Sequence, residues 1–382
     1  MRVALLGPYP TDDHVTGGVD AVMVALATGM SRRLEIDLHV VSTMPGLKTP
    51  TVARRAGFTL HQLPHPRGER LLWHQPVVRS LLRKLGEIAP DVVHAQMAGP
   101  YADAALRSGR PAVISLHGVV AREAALAWEH SSPSIRARWI VDAWYERWII
   151  RRARDLIATT PYTRQEYPHL PQARFHDIEN PVDNVFFDVP DAPALGSRLL
   201  CIAQLIPRKD ILTLLQAFAR VRETTPETRL DIVGQIDADP PYAALCRETV
   251  DRLDMAEQVQ FLDSQPKEAL AASCARADLI VLNSLQETAP LAVAVAMAAG
   301  RAVVGTRVGG VPFMVEDGTT GLLTEPGDVS GLAAAILTLL TQPERRFAFG
   351  RAARLVARDR YHVDAVVHRT VALYTLLCAE GA

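Results

Sequence analysis

The chain has 382 residues, 48% of them hydrophobic and 22% charged, the balance of an ordinary soluble globular protein. That length exceeds one typical core, so two domains are expected. Forty-one basic residues against 42 acidic ones leave a net charge of −1, which excludes nucleic-acid binding by bulk electrostatics.

Cysteines 201, 246, 274 and 378 are scattered, without a CxxC or Cys/His cluster, so neither a disulfide framework nor zinc is supported. Arg2 precedes an apolar run too short for a signal-peptide core, and no stretch approaches the ~20 apolar residues that cross a bilayer. A cytoplasmic protein is expected, with peripheral contact at the inner face of the membrane left open.

Val3 to Gly7 reads as a short buried parallel strand. A polar loop leads to Gly17 and Gly18, and residues 19–30 read as a helix. Strand, glycine loop and helix in that order is phosphate-binding logic, but G-x-G-x-x-G is absent. A tight turn that needs glycine is an equal reading. Strands over 36–41, 91–95 and 112–118 alternate with helices near 74–88 and 101–108, which predicts a doubly wound parallel sheet. Ligands of such sheets sit beyond the carboxyl ends of the strands, where His94 and His117 both lie. Each alone is more simply a satisfied structural histidine. Gly118 favours His117, because it lets the backbone open a pocket.

Residues 135–154 form a helix dense in tryptophan and arginine, with Ile140, Trp144 and Trp148 spaced by four. Contact with a membrane surface or a lipid-linked acceptor is one reading. A helix packed on the sheet with a solvated basic face is the other, and Asp142 and Glu146, which interrupt the charge, favour it. After a strand over 155–159, Pro168, Pro171, Pro181, Pro190 and Pro193 punctuate weak periodicity, which reads as a linker. The expected division is a domain over 1–170, a linker over 171–195, a second domain over 196–362, and a helix over 363–382 that packs back toward the first domain. The second domain restarts the pattern with strands at 199–205, 229–234 and 259–262 and helices at 210–222, 241–253 and 266–275. In the last helix Val363, Val366, Val367, Val371 and Tyr374 mark one apolar face.

Residues 277–327 organise the second half. A buried strand ends at Asn283, a loop presents Glu287, and an apolar helix starts just after Pro290. The first N–H groups and the positive dipole end of that helix suit a phosphate. Lys209 is one of only four lysines, with Lys48, Lys84 and Lys267, so a casual surface role fits it poorly. Asp237-Ala238-Asp239 spells a DxD but runs into Pro240-Pro241 in a loop, and no metal ligands are assigned.

TGGV (16–19), DVVHA (91–95), LHG (116–118), RARDLIATT (152–160), NPVD (180–183), AQLIPRKD (203–210), RLDIVG (229–234) and the block from ADLIVLNSLQET to VGGVPFMVEDGTTGLL resemble the retaining glycosyltransferases of family 4. The resemblance spans nearly the whole length. It implies an α/β GT-B fold, two doubly wound Rossmann-like domains facing an interdomain cleft, and no cofactor beyond a nucleotide-diphosphate sugar as donor substrate. The acceptor it implies is a saccharide, a lipid-linked molecule or a small molecule.

The resemblance also implies roles. Gly17 and Gly18 lie against the donor diphosphate, and His117 contacts the transferred sugar. The diphosphate clamp falls on Gln204 and Lys209, with Arg208 close enough to compensate for the arginine that Gln204 replaces. Glu287 bonds a sugar hydroxyl. The backbone of Thr288, Ala289, Leu291 and Ala292 receives the phosphates. The acid that holds the ribose hydroxyls falls on Val295, which in a helix apolar all round also reads simply as core. A hydrogen bond to a charged group contributes roughly 1.5–3 kcal/mol, so weakened donor binding is expected, and restored by Val295→Glu. The two departures leave room for a degenerate member that binds a saccharide or a partner protein without turnover. A sugar-nucleotide epimerase or a nucleotide-cofactor oxidoreductase is a third, weaker reading.

Overall fold

Arg2–Leu6 (β1) buries four of its five residues, and its neighbours on both sides are parallel strands. This computed structural model describes residues 1–10, 15, 17–66, 68, 73–128, 131–170, 172–191 and 198–381. The chain divides into two units: residues 1–10, 17–181 and the helix from 363 form one, and residues 182–362 the other.

In the first unit β1 leads to α1 (Gly18–Met30), β2 (Asp37–Pro45), β3 (Thr51–Arg55) and β4 (Phe58–His65). Alternation follows, with α2 (Gln75–Ile88), β5 (Val92–Gln96), α3 (Pro100–Arg107) and β6 (Ala112–Leu116). Then come α4 (Val120–Ala127), α5 (Pro133–Ile150), β7 (Asp155–Ala158), α6 (Pro161–Glu166) and β8 (Arg174–Asp177). One sheet takes them in the order β3-β4-β2-β1-β5-β6-β7-β8, parallel except for β3, which runs antiparallel to β4. All of β3 is exposed, so it lacks the apolar alternation that marks a strand, and Arg54 and Arg55 charge the edge.

The second unit runs α7 (Asn184–Phe187), β9 (Arg198–Ile202), α8 (Ile211–Thr224), β10 (Arg229–Val233), α9 (Pro240–Arg252), β11 (Val259–Leu262) and α10 (Lys267–Arg276). It continues with β12 (Leu279–Leu282), α11 (Leu291–Ala298), β13 (Ala302–Thr306), α12 (Val311–Met314), β14 (Gly321–Thr324), α13 (Val329–Thr341) and α14 (Pro343–Arg360). Its strand order, β11-β10-β9-β12-β13-β14, is that of a doubly wound nucleotide-binding sheet. The order reverses between β9 and β12, and in the first unit between β1 and β5. A crevice beyond the carboxyl ends of those strands is where such sheets bind ligands.

Within the stretch 171–195, the described residues 172–191 are built into the two units. β8 pairs with β7 in the first sheet, and Val182, Phe186, Phe187 and Val189 are buried in the second unit. Pro181 and Pro190 flank α7, a short element that the weak periodicity hid. α15 (Val363–Gly381) returns to the first unit, where Val363, Val367 and Tyr374 join the core beneath α1. Gly29 permits the close approach: a Cβ there would stand 2.7 Å from Val363 and 2.8 Å from Val367.

Candidate active site

In the second unit the loops after β9 and β12 are sewn together. Asp210 takes the left-handed conformation, φ 44°, at the head of α8. Asn283 donates from Nδ2 to its carbonyl at 2.9 Å and to its carboxylate at 3.2 Å. Leu285 N donates to the Arg208 carbonyl at 2.8 Å, and Arg208 Nη1 to the Gln286 carbonyl at 3.0 Å. This frame fixes Lys209 and Glu287 on adjacent loops at the switch point.

Glu287 is only 5% exposed. Its Oε1 accepts from the Lys209 ammonium and, at 2.7 Å, from Ser284 Oγ, while Arg208 stands 3.6 Å from Oε2. Burial pushes this carboxyl up, but the charges of Lys209 and Arg208 outweigh it and hold it below the usual range. Two cations against one anion leave a net positive cluster beside the start of α11. The Glu287 carbonyl accepts from Gly310 N at 2.9 Å, which ties the glycine pair to the same loop. The structure thus couples Lys209 and Glu287, to which the sequence assigns separate partners.

Gln204 Nε2 donates to Gln235 Oε1 at 3.3 Å, on the loop after β10. Gly234 allows that approach, since a Cβ there would fall 2.3 Å from the Ala203 carbonyl oxygen. Thr288 is buried, while Ala289, Leu291 and Ala292 are partly exposed where the chain enters α11. By helix geometry the first N–H groups of α11 have no intrahelical acceptor.

Val295 fits the core reading of its helix: it is 4% exposed within the apolar cluster that includes Val293, Met297 and Ala353. Burying a carboxylate there without a partner is unfavourable. Val295→Glu is therefore expected to lower the thermal midpoint by several degrees, not to tighten donor binding; an unchanged midpoint with tighter binding would restore the ribose role. Asp239 of the DxD caps α9, accepting from Tyr242 N at 3.1 Å. Among the described residues no three His, Cys, Asp or Glu side chains gather at one point.

In the first unit His117 follows β6 and, partly buried, lines a small cavity with His94, Gln96, Ser115, Thr159 and Asn180. Its Nε2 lies 2.5 Å from Gln96 Oε1, and Gln96 Nε2 lies 2.9 Å from His94 Nε2. His94 Nδ1 meets Tyr374 Oη at 2.6 Å, and His94 Nε2 meets Ser115 Oγ at 2.7 Å. Gln96 can serve both neighbours only if His117 carries its proton on Nε2 and His94 on Nδ1. Burial pushes His117 down to about 4, against a hydrogen bond with Asn180, and His94 down to about 3, helped by the charge of His117. His94 is thus the buried structural histidine, and it serves His117 through Gln96. Sequence reasoning missed Gln96, which carries no local signal, and gave Asn180 and Tyr374 only as parts of a motif and of an apolar face.

Gly17, in extended backbone, is the N-cap of α1, and Gly18 is its first residue. A Cβ at Gly18 would meet nothing within 4 Å, and one at Gly17 only Asp20 at 3.7 Å. Neither packing nor a left-handed turn demands glycine, which leaves exposed backbone as its use. Thr16 and the polar loop over 11–14 lie outside the described residues.

Two family models match the chain: "Glycosyltransferase Family 4" over residues 16–185 and "Glycosyl transferases group 1" over 196–342. It belongs to the family 4 glycosyltransferases. Among curated relatives, the GDP-mannose-dependent alpha-(1-6)-phosphatidylinositol monomannoside mannosyltransferase of Mycolicibacterium smegmatis is 28% identical over 359 residues, covering 90% of this chain and 91% of that one. A D-inositol 3-phosphate glycosyltransferase of Segniliparus rotundus is 32% identical, over 47% of this chain and 40% of its own length. The fold matches sucrose-phosphate synthase of Thermosynechococcus elongatus, with a TM-score of 0.82, 20% identity and 99% of each chain covered. The glycosyltransferase therefore has the GT-B fold, built from two Rossmann-like units.

Proposed function

We propose that this glycosyltransferase moves a hexose from a nucleoside diphosphate to a hydroxyl of a saccharide, small-molecule or lipid-linked acceptor, with retention of configuration. The observation that carries it is the net positive cluster of Arg208, Lys209 and Glu287 beside the start of α11. As the bond from sugar C1 to the diphosphate oxygen breaks, negative charge grows on the departing phosphate. Fixed cations and helix N–H groups stabilise charge where it develops. The acceptor oxygen forms the new bond to C1, and its proton passes to the departing phosphate oxygen. His117 is assigned to the transferred sugar, and Gly17 and Gly18 to the diphosphate. No cofactor takes part beyond the donor itself.

GDP-mannose is the first donor to test, because the relative matched over nearly its whole length is GDP-mannose-dependent. That relative's name, with its phosphatidylinositol monomannoside, also supports a lipid-linked acceptor, which requires work at a membrane surface. No helix among the described residues is long and apolar enough to cross a membrane, so attachment is peripheral in this proposal. Calorimetry and turnover across GDP-, UDP- and ADP-sugars test it, with binding of at least one donor and transfer or slow hydrolysis expected. No binding of any donor at millimolar concentration sinks it. Binding without turnover favours a non-catalytic saccharide or protein binder, for which Gln204 in place of a clamp arginine is the specific ground.

A further inference from the structure

α5 carries a stripe that the described residues of its own unit leave largely exposed. At 100° per residue, Arg136, Ile140, Trp144, Arg147 and Arg151 fall within an arc of about 80°, along roughly 22 Å of helix. Ile140 is 58% and Trp144 53% exposed, and Trp73, 44% exposed, meets Trp144 edge to face at 4.8 Å. Arg147 and Arg151 are exposed, and the Arg136 guanidinium lies over the ring of Trp128.

The acids of α5 are elsewhere. Glu146 is buried, accepting from Val120 N and from Tyr167 Oη at 2.7 Å. Asp142 sits on the opposite side of the stripe and pairs with Arg138 at 3.6 Å. Among the described residues, the exposed face therefore presents apolar and aromatic groups flanked by the Arg147 and Arg151 guanidinium groups, with Arg136 held against Trp128, and no carboxylate.

We propose that this face of α5, with Trp73, adsorbs to the surface of an anionic lipid bilayer. A row of aromatic and aliphatic side chains with flanking arginines is what an interfacial helix needs: the apolar part enters the acyl boundary and the guanidinium groups stay with anionic headgroups. The one-signed charge along the stripe complements a continuous anionic surface. The proposal deepens the lipid-linked acceptor reading and rests on it for its purpose, while adsorption itself needs no turnover.

The test is flotation of the full chain with vesicles of phosphatidylcholine alone or with phosphatidylglycerol added. Binding is expected only with the anionic lipid, weakening as salt rises. Arg147→Gln and Arg151→Gln should each weaken it about fivefold. Ile140→Ser with Trp144→Ser should weaken it at least tenfold, and brominated lipid should quench tryptophan fluorescence in the wild type but much less in that double variant. These side chains are exposed, so circular dichroism and donor hydrolysis should not change. Equal binding to neutral vesicles, no binding at all, or full binding by the variants overturns the proposal. No binding at all also points to an acidic protein as the occupant. Vesicle binding without any donor binding would instead overturn the transfer reaction and leave the surface assigned.

Discussion

Lys209→Ala is expected to abolish transfer and to cost about 3–5 kcal/mol of stability, because it strands a buried carboxylate. Glu287 would retain Ser284 Oγ at 2.7 Å and Arg208 at 3.6 Å, which places the loss toward the lower end of that range. Removing both charges at once, Lys209→Met with Glu287→Leu, should recover most of the stability, since a buried pair replaced by apolar groups of similar volume is often neutral. Turnover should not recover, because the diphosphate then loses its compact cation. Urea denaturation read beside donor turnover separates the two roles. A single variant as stable as the wild type would show that the pair is not coupled, and turnover by the double variant would remove these charges from the chemistry.

The pair also has a pH signature. The Glu287 carboxyl ionises below its ordinary value in the folded state, so its contribution is complete above about pH 4.3 and is lost as pH falls through the folded value. His94 and His117 act over a higher window. Burial holds them at about 3 and about 4 in the folded state, whereas the unfolded chain protonates histidine near 6.5, so stability declines as pH falls from about 6.5 toward 4. The double variant at Lys209 and Glu287 should keep the upper decline and lose part of the lower one.

The alternation of β9 to β14 with helices was legible because each buried parallel strand is a short apolar run closed by a turn signal. Glu287 and the start of α11 were legible for the same reason: loop chemistry lies beside strong periodicity. At Val295 the sequence shows that a charge is missing, and the packing of α11 shows the apolar cluster around it. The hairpin of β3 and β4 escaped because β3 is exposed at an edge and β4 ends in a proline and a histidine. Tyr374 lies 280 residues from His94, so only the return of α15 to the first unit connects them. No periodicity reports such a contact.

Within the first unit, Gln96 links His117 to His94 and so to that contact. Gln96→Leu removes the acceptor of His117 Nε2 and the donor to His94 Nε2 together. Each lost hydrogen bond to a group that stays buried costs about 1–3 kcal/mol, so kcat/KM should fall roughly 10- to 100-fold through a ring free to turn. Gln96→Glu keeps an acceptor for His117 and brings a negative charge beside it, which favours the imidazolium. The acid limb of the pH profile should then move upward, with part of the rate regained at neutral pH. Tyr374→Phe, one step further along the chain, should cost less than Gln96→Leu and leave the profile in place. If Gln96→Leu folds as the wild type by circular dichroism and keeps both kcat/KM and its pH profile, the ring of His117 is not held through Gln96. Its part in the reaction then needs no fixed tautomer.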